Sequence, residues 1–517
     1  MIDIKNMKTR VISGLLALIL ISCALFGCAC KGADSGQKLT ENIPNDNVRN
    51  WYEIFIYSFA DSDGDRIGDF NGATEKLDYV RDLGFTGIWL MPIMPSPSYH
   101  KYDITDYYDV DPQYGTLDDF KAFLNKAHEL NIDVILDLVV NHTSNEHPWF
   151  RNSKTGPDAE YRDYYNWSDT GGSGYEKING SYFECRFVST MPDLNLDNPD
   201  VRGEISDIMR FWLDMGVDGF RLDAVTSYYT GSSERNIEFL SWLNTEAKSI
   251  KPDCYIVGEC WADEATIASY YRSGIDSFFY FPMSTGNNGK GIIAGILDET
   301  TTDRGDSYAY LTTHLEERFG TDALMAPFID NHDTERFNGI MGLYDMPRVK
   351  AAYGMLAMIR GGTYFYYGDE CGLVGSGNDP NKRIGMYWDD ITKVTYAPPG
   401  ATEAKYPLGS VKELLADDNS LLNYIGNANA LRNAFPEIAR GTSSIIEQED
   451  SDICIIERTW NGSTITIVLN LCREAKSVSL TGLSLAGILD ANISQGSGIT
   501  YNGSTLKLDP WGIAILN

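Results

Sequence analysis

Eight short apolar runs rich in β-branched and aromatic residues recur along the chain, with helix-like stretches between them. They are YEIFIYSF (52–59), TGIWLMP (86–92), DVILDLVV (133–140), DGFRLDAV (218–225), CYIVGE (254–259), DSFFYF (276–281), APFID (326–330) and TYFYYG (363–368). The intervening helical period is clearest in LDDFKAFLNKAHEL (117–130), VRGEISDIMRFWLDMG (201–216) and VKAAYGMLAMIRG (349–361), with Asn198 or Asp200 capping the second. Eight strand–helix units with buried strands predict an α/β fold, a parallel (β/α)8 TIM barrel. A doubly wound sheet is the rival. It would carry fewer strands and a glycine-rich phosphate turn, and the sequence has no such turn.

Two intervals are too long for a simple connection. From His142 to Asn195 there is no strong helical period, while Trp, Tyr, Gly and Asp abound, which predicts a subdomain (142–195) inserted after the third strand. A second excursion, 369–418, follows the eighth strand. Beyond Pro436 the pattern alternates, as in ICIIER (453–458), TITIVLNL (464–471) and TLKLD (505–509), and predicts a C-terminal antiparallel β-sandwich over 436–517. The barrel then occupies 49–141 and 196–435.

At the amino terminus, Lys8 and Arg10 precede an apolar run from Val11 to Phe26 that is too short to span a bilayer but suits a signal peptide. It ends Leu25-Phe26-Gly27-Cys28, which resembles a bacterial lipobox. Residues 1–27 are therefore expected to be removed and Cys28 to carry lipid, with plain secretion as the alternative. Residues 28–48 are expected to form a polar tether. Six further cysteines, Cys185, Cys254, Cys260, Cys371, Cys454 and Cys472, lack metal-ligand spacing, and pairing of Cys454 with Cys472 stays open. A net charge of −31, from 73 acidic and 42 basic residues, repels phosphate backbones and excludes a nucleic-acid partner. The membrane is expected to be met only through the lipid anchor, by a monomer.

In a (β/α)8 barrel the active site lies at the C-terminal ends of the strands. Those ends carry Asp137 and His142 after strand three, Arg221 and Asp223 at strand four, Glu259 at strand five, and Asn331, His332 and Asp333 after strand seven. Converging carboxylates raise one another's pKa, while an arginine beside one keeps it ionised. One acid can then donate a proton while another attacks, as cleavage of a glycosidic bond requires. A metal hydrolase is the rival, but it would want more histidine than these positions offer.

DLVVNH (137–142), GFRLDAV (219–225), GEC (258–260) and FIDNHD (328–333) resemble four ordered regions of the α-amylase family, glycoside hydrolase family 13, and MPDLN (191–195) resembles a fifth. The resemblance covers residues 50–517 and is intermediate between oligo-1,6-glucosidase-like and neopullulanase-like members. It implies Asp223 as nucleophile, Glu259 as general acid and base, and Asp333 as the group that grips the −1 sugar hydroxyls in the transition state. It also implies that Arg221 holds Asp223 anionic, that His142 and His332 hydrogen-bond the same ring, and that Tyr102 stacks on it with Asp103 nearby. GNDPNKR (377–383) resembles the loop whose Asp379 and Arg383 contact the −1 and −2 sugars. The substrate implied is an α-1,4-glucan such as starch or malto-oligosaccharides. An α-glucosidase, a neopullulanase-like enzyme, a transglycosylase and a non-catalytic glucan-binding homologue are the alternatives. Ala224 stands where relatives cutting α-1,6 bonds tend to have Val. Thr226 and Ser227 replace a Lys-His pair usual in α-amylases, which puts a calcium site at Asn141 in doubt.

A separate loop, DSDGDRIGD (61–69), sets Asp61, Asp63, Asp65 and Asp69 at positions 1, 3, 5 and 9, with the Ile67 carbonyl at position 7. Hard oxygen ligands at that spacing suit a structural Ca2+. It is not an EF-hand, because position 6 is Arg66 and position 12 is Gly72.

Overall fold

The computed structural model describes residues 43, 46–285, 289–402, 404–492 and 497–517. The expected signal peptide, Cys28 and most of the tether lie outside the described residues. Eight parallel strands form the central sheet: β1 (Asn50–Ile54), β2 (Gly87–Leu90), β3 (Asp133–Leu138), β4 (Gly219–Leu222), β5 (Tyr255–Gly258), β6 (Ser277–Phe279), β7 (Leu324–Ala326) and β8 (Thr363–Tyr366). Their order is β7-β6-β5-β4-β3-β2-β1-β8, and a parallel bridge between Phe328 and Tyr364 joins the two ends, so the sheet closes into a (β/α)8 barrel.

Alternation along each strand sorts side chains into layers inside the barrel. The lower layer is aromatic: the Trp51 indole stacks on Tyr255 at 5.1 Å and on Tyr364 at 5.6 Å. Gly87, the register partner of Trp51, leaves room for that indole, because a Cβ at Gly87 would lie 2.4 Å from the ring. Two residues further along, the same faces carry Glu53 on β1, Trp89 on β2, Asp137 on β3 and Arg221 on β4. A polar layer thus rests directly on an apolar floor.

Helix ends follow local capping chemistry. In the helix Leu117–Glu129, Thr116 and Asp119 form a reciprocal capping box. The helix Pro199–Met215 starts at Asn198, whose Oδ1 accepts from the Asp200 N–H at 2.8 Å, and stops at left-handed Gly216. Two strand expectations shift. The first strand stops at Ile54, and Ile56–Phe59 form a buried helical turn, since continuous burial does not distinguish a strand from a helix. The seventh strand lies earlier than APFID, because Pro327 has no N–H for the ladder.

Between β3 and β4 the chain makes a short helix (Pro148–Ser153) and a three-stranded sheet from Trp167–Ser168, Tyr175–Ile178 and Ser181–Glu184. The bridge His142↔Asp193 ties the start of this excursion to its end. After residue 441 come two antiparallel sheets of five and three strands. Ile453, Ile455 and Val468 on one sheet meet Val478, Leu506 and Leu508 on the other in a separate apolar cluster. The alternate residues of the larger sheet, among them Cys454, Ile456, Ile467 and Ile515, join the main core instead. That double burial explains why the strand Ser463–Asn470 is buried on both faces over its last six residues. Cys454 and Cys472 are not paired; all six described cysteines are buried free thiols.

Candidate active site

Arg221 is the hub of the polar layer. It is fully buried, and its Nη1 lies 2.7 Å from Asp137 Oδ1 and 2.8 Å from Asp223 Oδ1. Its Nη2 lies 2.7 Å from Glu259 Oε1, an ion contact outside hydrogen-bonding geometry. Asp223 and Glu259 face the same guanidinium because each follows the end of its strand on the inward face. The Asp223 N–H still donates to the Leu138 carbonyl, and the Glu259 N–H to Leu222, so both backbones extend the barrel ladder. Ala224 then turns left-handed, with φ of 48°. That conformation costs a non-glycine residue about 1 kcal/mol or more, and it aims the Ala224 N–H at Glu259 Oε2, 2.8 Å away.

Burial shifts two of these acids. Burial, outweighing the opposing Arg221 charge, pushes the Glu259 carboxyl up to about 8. Its Oε2 accepts from Ala224, while its buried Oε1 makes no hydrogen bond among the described residues and faces Arg221 Nη2 at 2.7 Å. Burial also raises Asp137, to about 6, against the pull of Arg221.

The other wall comes from the loops after β2, β7 and β8. Tyr102 donates to Asp137 Oδ2 at 3.0 Å and meets His332 Nε2 at 2.8 Å, its ring stacked on the imidazole. Asp333 accepts from His332 Nε2 at 3.1 Å and from Arg383 at 3.0 Å. Burial works to raise Asp333, but the His332 and Arg383 charges overcome it and hold the carboxyl far below the usual range. Arg383 also pairs with Asp379 at 3.1 Å, four residues earlier on the 3-10 turn Asp379–Arg383, and Tyr99 donates to the far oxygen of Asp379. His142 is buried and burial lowers its pKa, leaving it neutral. The Asn141 amide nitrogen lies 3.3 Å from its Nδ1, and its Nε2 makes no hydrogen bond among the described residues. Nε2 of His142 and Nη1 of Arg383 are both without a hydrogen bond among the described residues at a carboxylate-lined mouth.

The structure thus gathers Asp223, Glu259, Asp333, Arg221, His142, His332, Tyr102, Asp379 and Arg383 at one end of the barrel. Asp103 is buried nearby but is satisfied by the Ser96 and Ser98 hydroxyls of its own loop. Sequence reasoning missed Glu53, which pairs with His332, because a lone acid inside an apolar strand carries no local signal. It also missed the buried Tyr228 hydroxyl, unpartnered among the described residues, and the exposed Phe187 ring, 5.4 Å from His142.

In the acidic loop, carboxylate oxygens of Asp61, Asp63 and Asp65 lie within 4.8 Å of one another. Asp69 does not join them: it caps the helix Phe70–Glu75, accepting from Gly72 N–H at 2.7 Å and from Ser62.

A closed (β/α)8 barrel whose mouth holds one acid kept protonated beside a second acid paired to arginine defines a glycoside hydrolase. The family described as "Alpha amylase, catalytic domain" matches residues 53–441. Alpha-amylase 3 of Dictyoglomus thermophilum is 40% identical over 435 residues, 82% of this chain and 84% of that protein. Oligo-1,6-glucosidase of Parageobacillus thermoglucosidasius is 31% identical over 509 residues, 82% of this chain and 90% of that protein. The solved structure of Eubacterium rectale Amy13B superposes with a TM-score of 0.86 at 41% identity, covering 92% of this chain and 96% of that one. The chain belongs to the α-amylase family, glycoside hydrolase family 13, and is an enzyme of that type.

Removing the hub should be costly in a pH-dependent way. Arg221→Ala leaves buried carboxylates without their cation, and is expected to cost about 3–5 kcal/mol of stability at pH 8. The loss should be smaller at pH 5, where Glu259 and Asp137 bind protons. Urea unfolding at the two pH values measures the difference, and an equal loss at both would contradict the charge argument.

Proposed function

We propose that this protein is a retaining α-glucan hydrolase that cleaves the α-1,4 bonds of starch or malto-oligosaccharides. The observation that carries the proposal is the division of labour around Arg221. Burial favours the protonated form of Glu259 near neutral pH, while Asp223 is hydrogen-bonded to the Arg221 guanidinium. Glu259 protonates the glycosidic oxygen as Asp223 attacks the anomeric carbon, and a covalent β-glycosyl ester forms on Asp223. Glu259, now a carboxylate, takes a proton from water as that water opens the ester, so configuration is retained. Asp333, braced by His332 and Arg383, takes the −1 sugar hydroxyls, and its grip strengthens as positive charge develops on the ring. His142 Nε2–H donates to the same sugar, and Tyr102 packs against it. Asp379 and Arg383 extend the contacts toward −2.

A second reading is an α-glucosidase or neopullulanase-like enzyme with mixed linkage or transglycosylating activity. It is favoured by the oligo-1,6-glucosidase relative and by MPDLN at 191–195. Ala224 speaks for α-1,4 bonds, because it stands where relatives that cut α-1,6 bonds tend to have Val. We further propose that Asp61, Asp63 and Asp65 hold a structural Ca2+. The converging, solvent-facing oxygens fit a hard cation, which would lock the loop without entering the chemistry. Export and lipid anchoring at Cys28 complete the proposal and suit an enzyme meeting external polymer.

End-labelled maltoheptaose, with pullulan alongside, separates the readings. Early labelled maltotriose marks internal α-1,4 cleavage, single glucose from the non-reducing end marks an α-glucosidase, and panose from pullulan marks the neopullulanase type. Asp223→Asn and Glu259→Gln should fold normally and lose nearly all turnover; a variant keeping half the activity removes the assignment. Because Glu259 must be protonated to act as acid, kcat/KM should fall as pH rises through about 8. Chelation should lower the melting temperature of the native protein but not of Asp61→Asn; an unchanged native value removes the calcium site.

A further inference from the structure

His332 is clasped between two carboxylates. Its Nδ1 lies 2.5 Å from Glu53 Oε1, and its Nε2 lies 3.1 Å from Asp333 Oδ2. A carboxylate oxygen only accepts hydrogen bonds, and a neutral imidazole carries one N–H. With Glu53 ionised, both contacts require an imidazolium; a protonated Glu53 would instead donate to Nδ1 of a neutral ring, and burial raises the Glu53 carboxyl against the pull of His332 and Arg221. Glu53 stands on β1 in the polar layer, 1% exposed, and its described hydrogen bond is the one to His332. A buried carboxylate without a cation would be costly, and the His332 and Arg221 charges oppose the upward push that burial gives Glu53.

We propose that Glu53 is a positioning residue that holds His332 doubly protonated and oriented, so that Asp333 stays ionised and aimed at the −1 sugar. This rests on the reading of Asp333 given above and assigns the charge behind it. Groups on every wall around His332 set the balance. Glu53 from β1, Asp137 from β3 and Asp333 itself favour the imidazolium. Arg221 from β4 opposes it, and so does Arg383, whose Nε donates to the His332 carbonyl. Tyr102 and the edge of Trp89 are neutral neighbours. Burial also works against the charge, yet Asp333 and Glu53 together carry the imidazole up to about 10. With Glu53 neutral, Asp333 alone would face burial and two guanidiniums, and the imidazolium would lose its proton at lower pH. A glutamine at 53 can still accept from Nδ1–H through its carbonyl oxygen, so Glu53→Gln removes charge while preserving shape.

The test reads the imidazole directly. The chain has six histidines, so NMR of protein carrying isotope-labelled histidine can follow each ring, with His332→Gln identifying the resonance. In the native protein the His332 ring should remain doubly protonated through pH 8.5. In Glu53→Gln it should titrate at least 1.5 pH units lower, with kcat down at least tenfold, KM within threefold, and the alkaline limb of kcat/KM moved to lower pH. Glu53→Asp, which keeps the charge, should restore that limb. A native His332 titrating near 6.5, or a Glu53→Gln variant with unchanged titration and unchanged pH profile, overturns the proposal. The native measurement needs no substrate. A pinned imidazole in a protein that cleaves no α-glucan would therefore overturn the proposed reaction and leave the Glu53 assignment standing.

Discussion

One buried guanidinium organises this molecule. Among the described residues, Arg221 is the only ion-pair partner of Asp137, Asp223 and Glu259. A single positive charge cannot neutralise three carboxylates in a low-dielectric interior, so the set keeps a proton. Arg221 decides where that proton sits. Asp223 and Asp137 meet it through hydrogen bonds, whereas Glu259 meets it out of line and accepts instead from the Ala224 amide. The acid that we propose as the proton donor is thus the one whose contact with the cation is not a hydrogen bond. The Trp89 and Tyr102 rings, 5.1 and 5.9 Å from the guanidinium carbon, shut out the water that would otherwise level these differences.

That arrangement depends on the floor beneath it. Arg221 can be buried because the stacked Trp51, Tyr255 and Tyr364 rings fill the barrel below, and because Gly87 makes way for the indole. The loops above are braced from outside the sheet. The Arg336 guanidinium, buried behind the site, binds the Lys382 and Tyr367 carbonyls and Asp369, and Lys382 in turn donates to the Asp333 carbonyl. The turn that carries Asp379 and Arg383 is in this way tied to the loop that carries Asp333.

Much of the site was legible before any fold was known. Arg221 and Asp223 are two apart on a strand and so share a face, and Glu259 and Asp333 follow other strand ends; period-two geometry and the barrel rule suffice to bring them to one mouth. Boundaries were less legible. Ile56–Phe59 and β7 differ from expectation because burial alone does not choose between strand and helix, and because one proline ends a ladder. Asp69 read as a metal ligand by spacing, yet the helix that starts at Phe70 takes its carboxylate as a cap.

The sequence by itself determined the barrel, the antiparallel C-terminal region and the set of residues at the strand ends, since these follow from periodicity and from motifs only a few residues long. Only the tertiary structure decided which carboxyl is pushed toward its protonated form and that Glu53 stands behind His332. Those facts depend on contacts between positions 35 to 279 residues apart in the chain, as in Ala224 with Glu259 and Glu53 with His332. Burial, hydrogen-bond angle and net local charge exist only once the strands have closed, and these quantities set the chemistry of each acid.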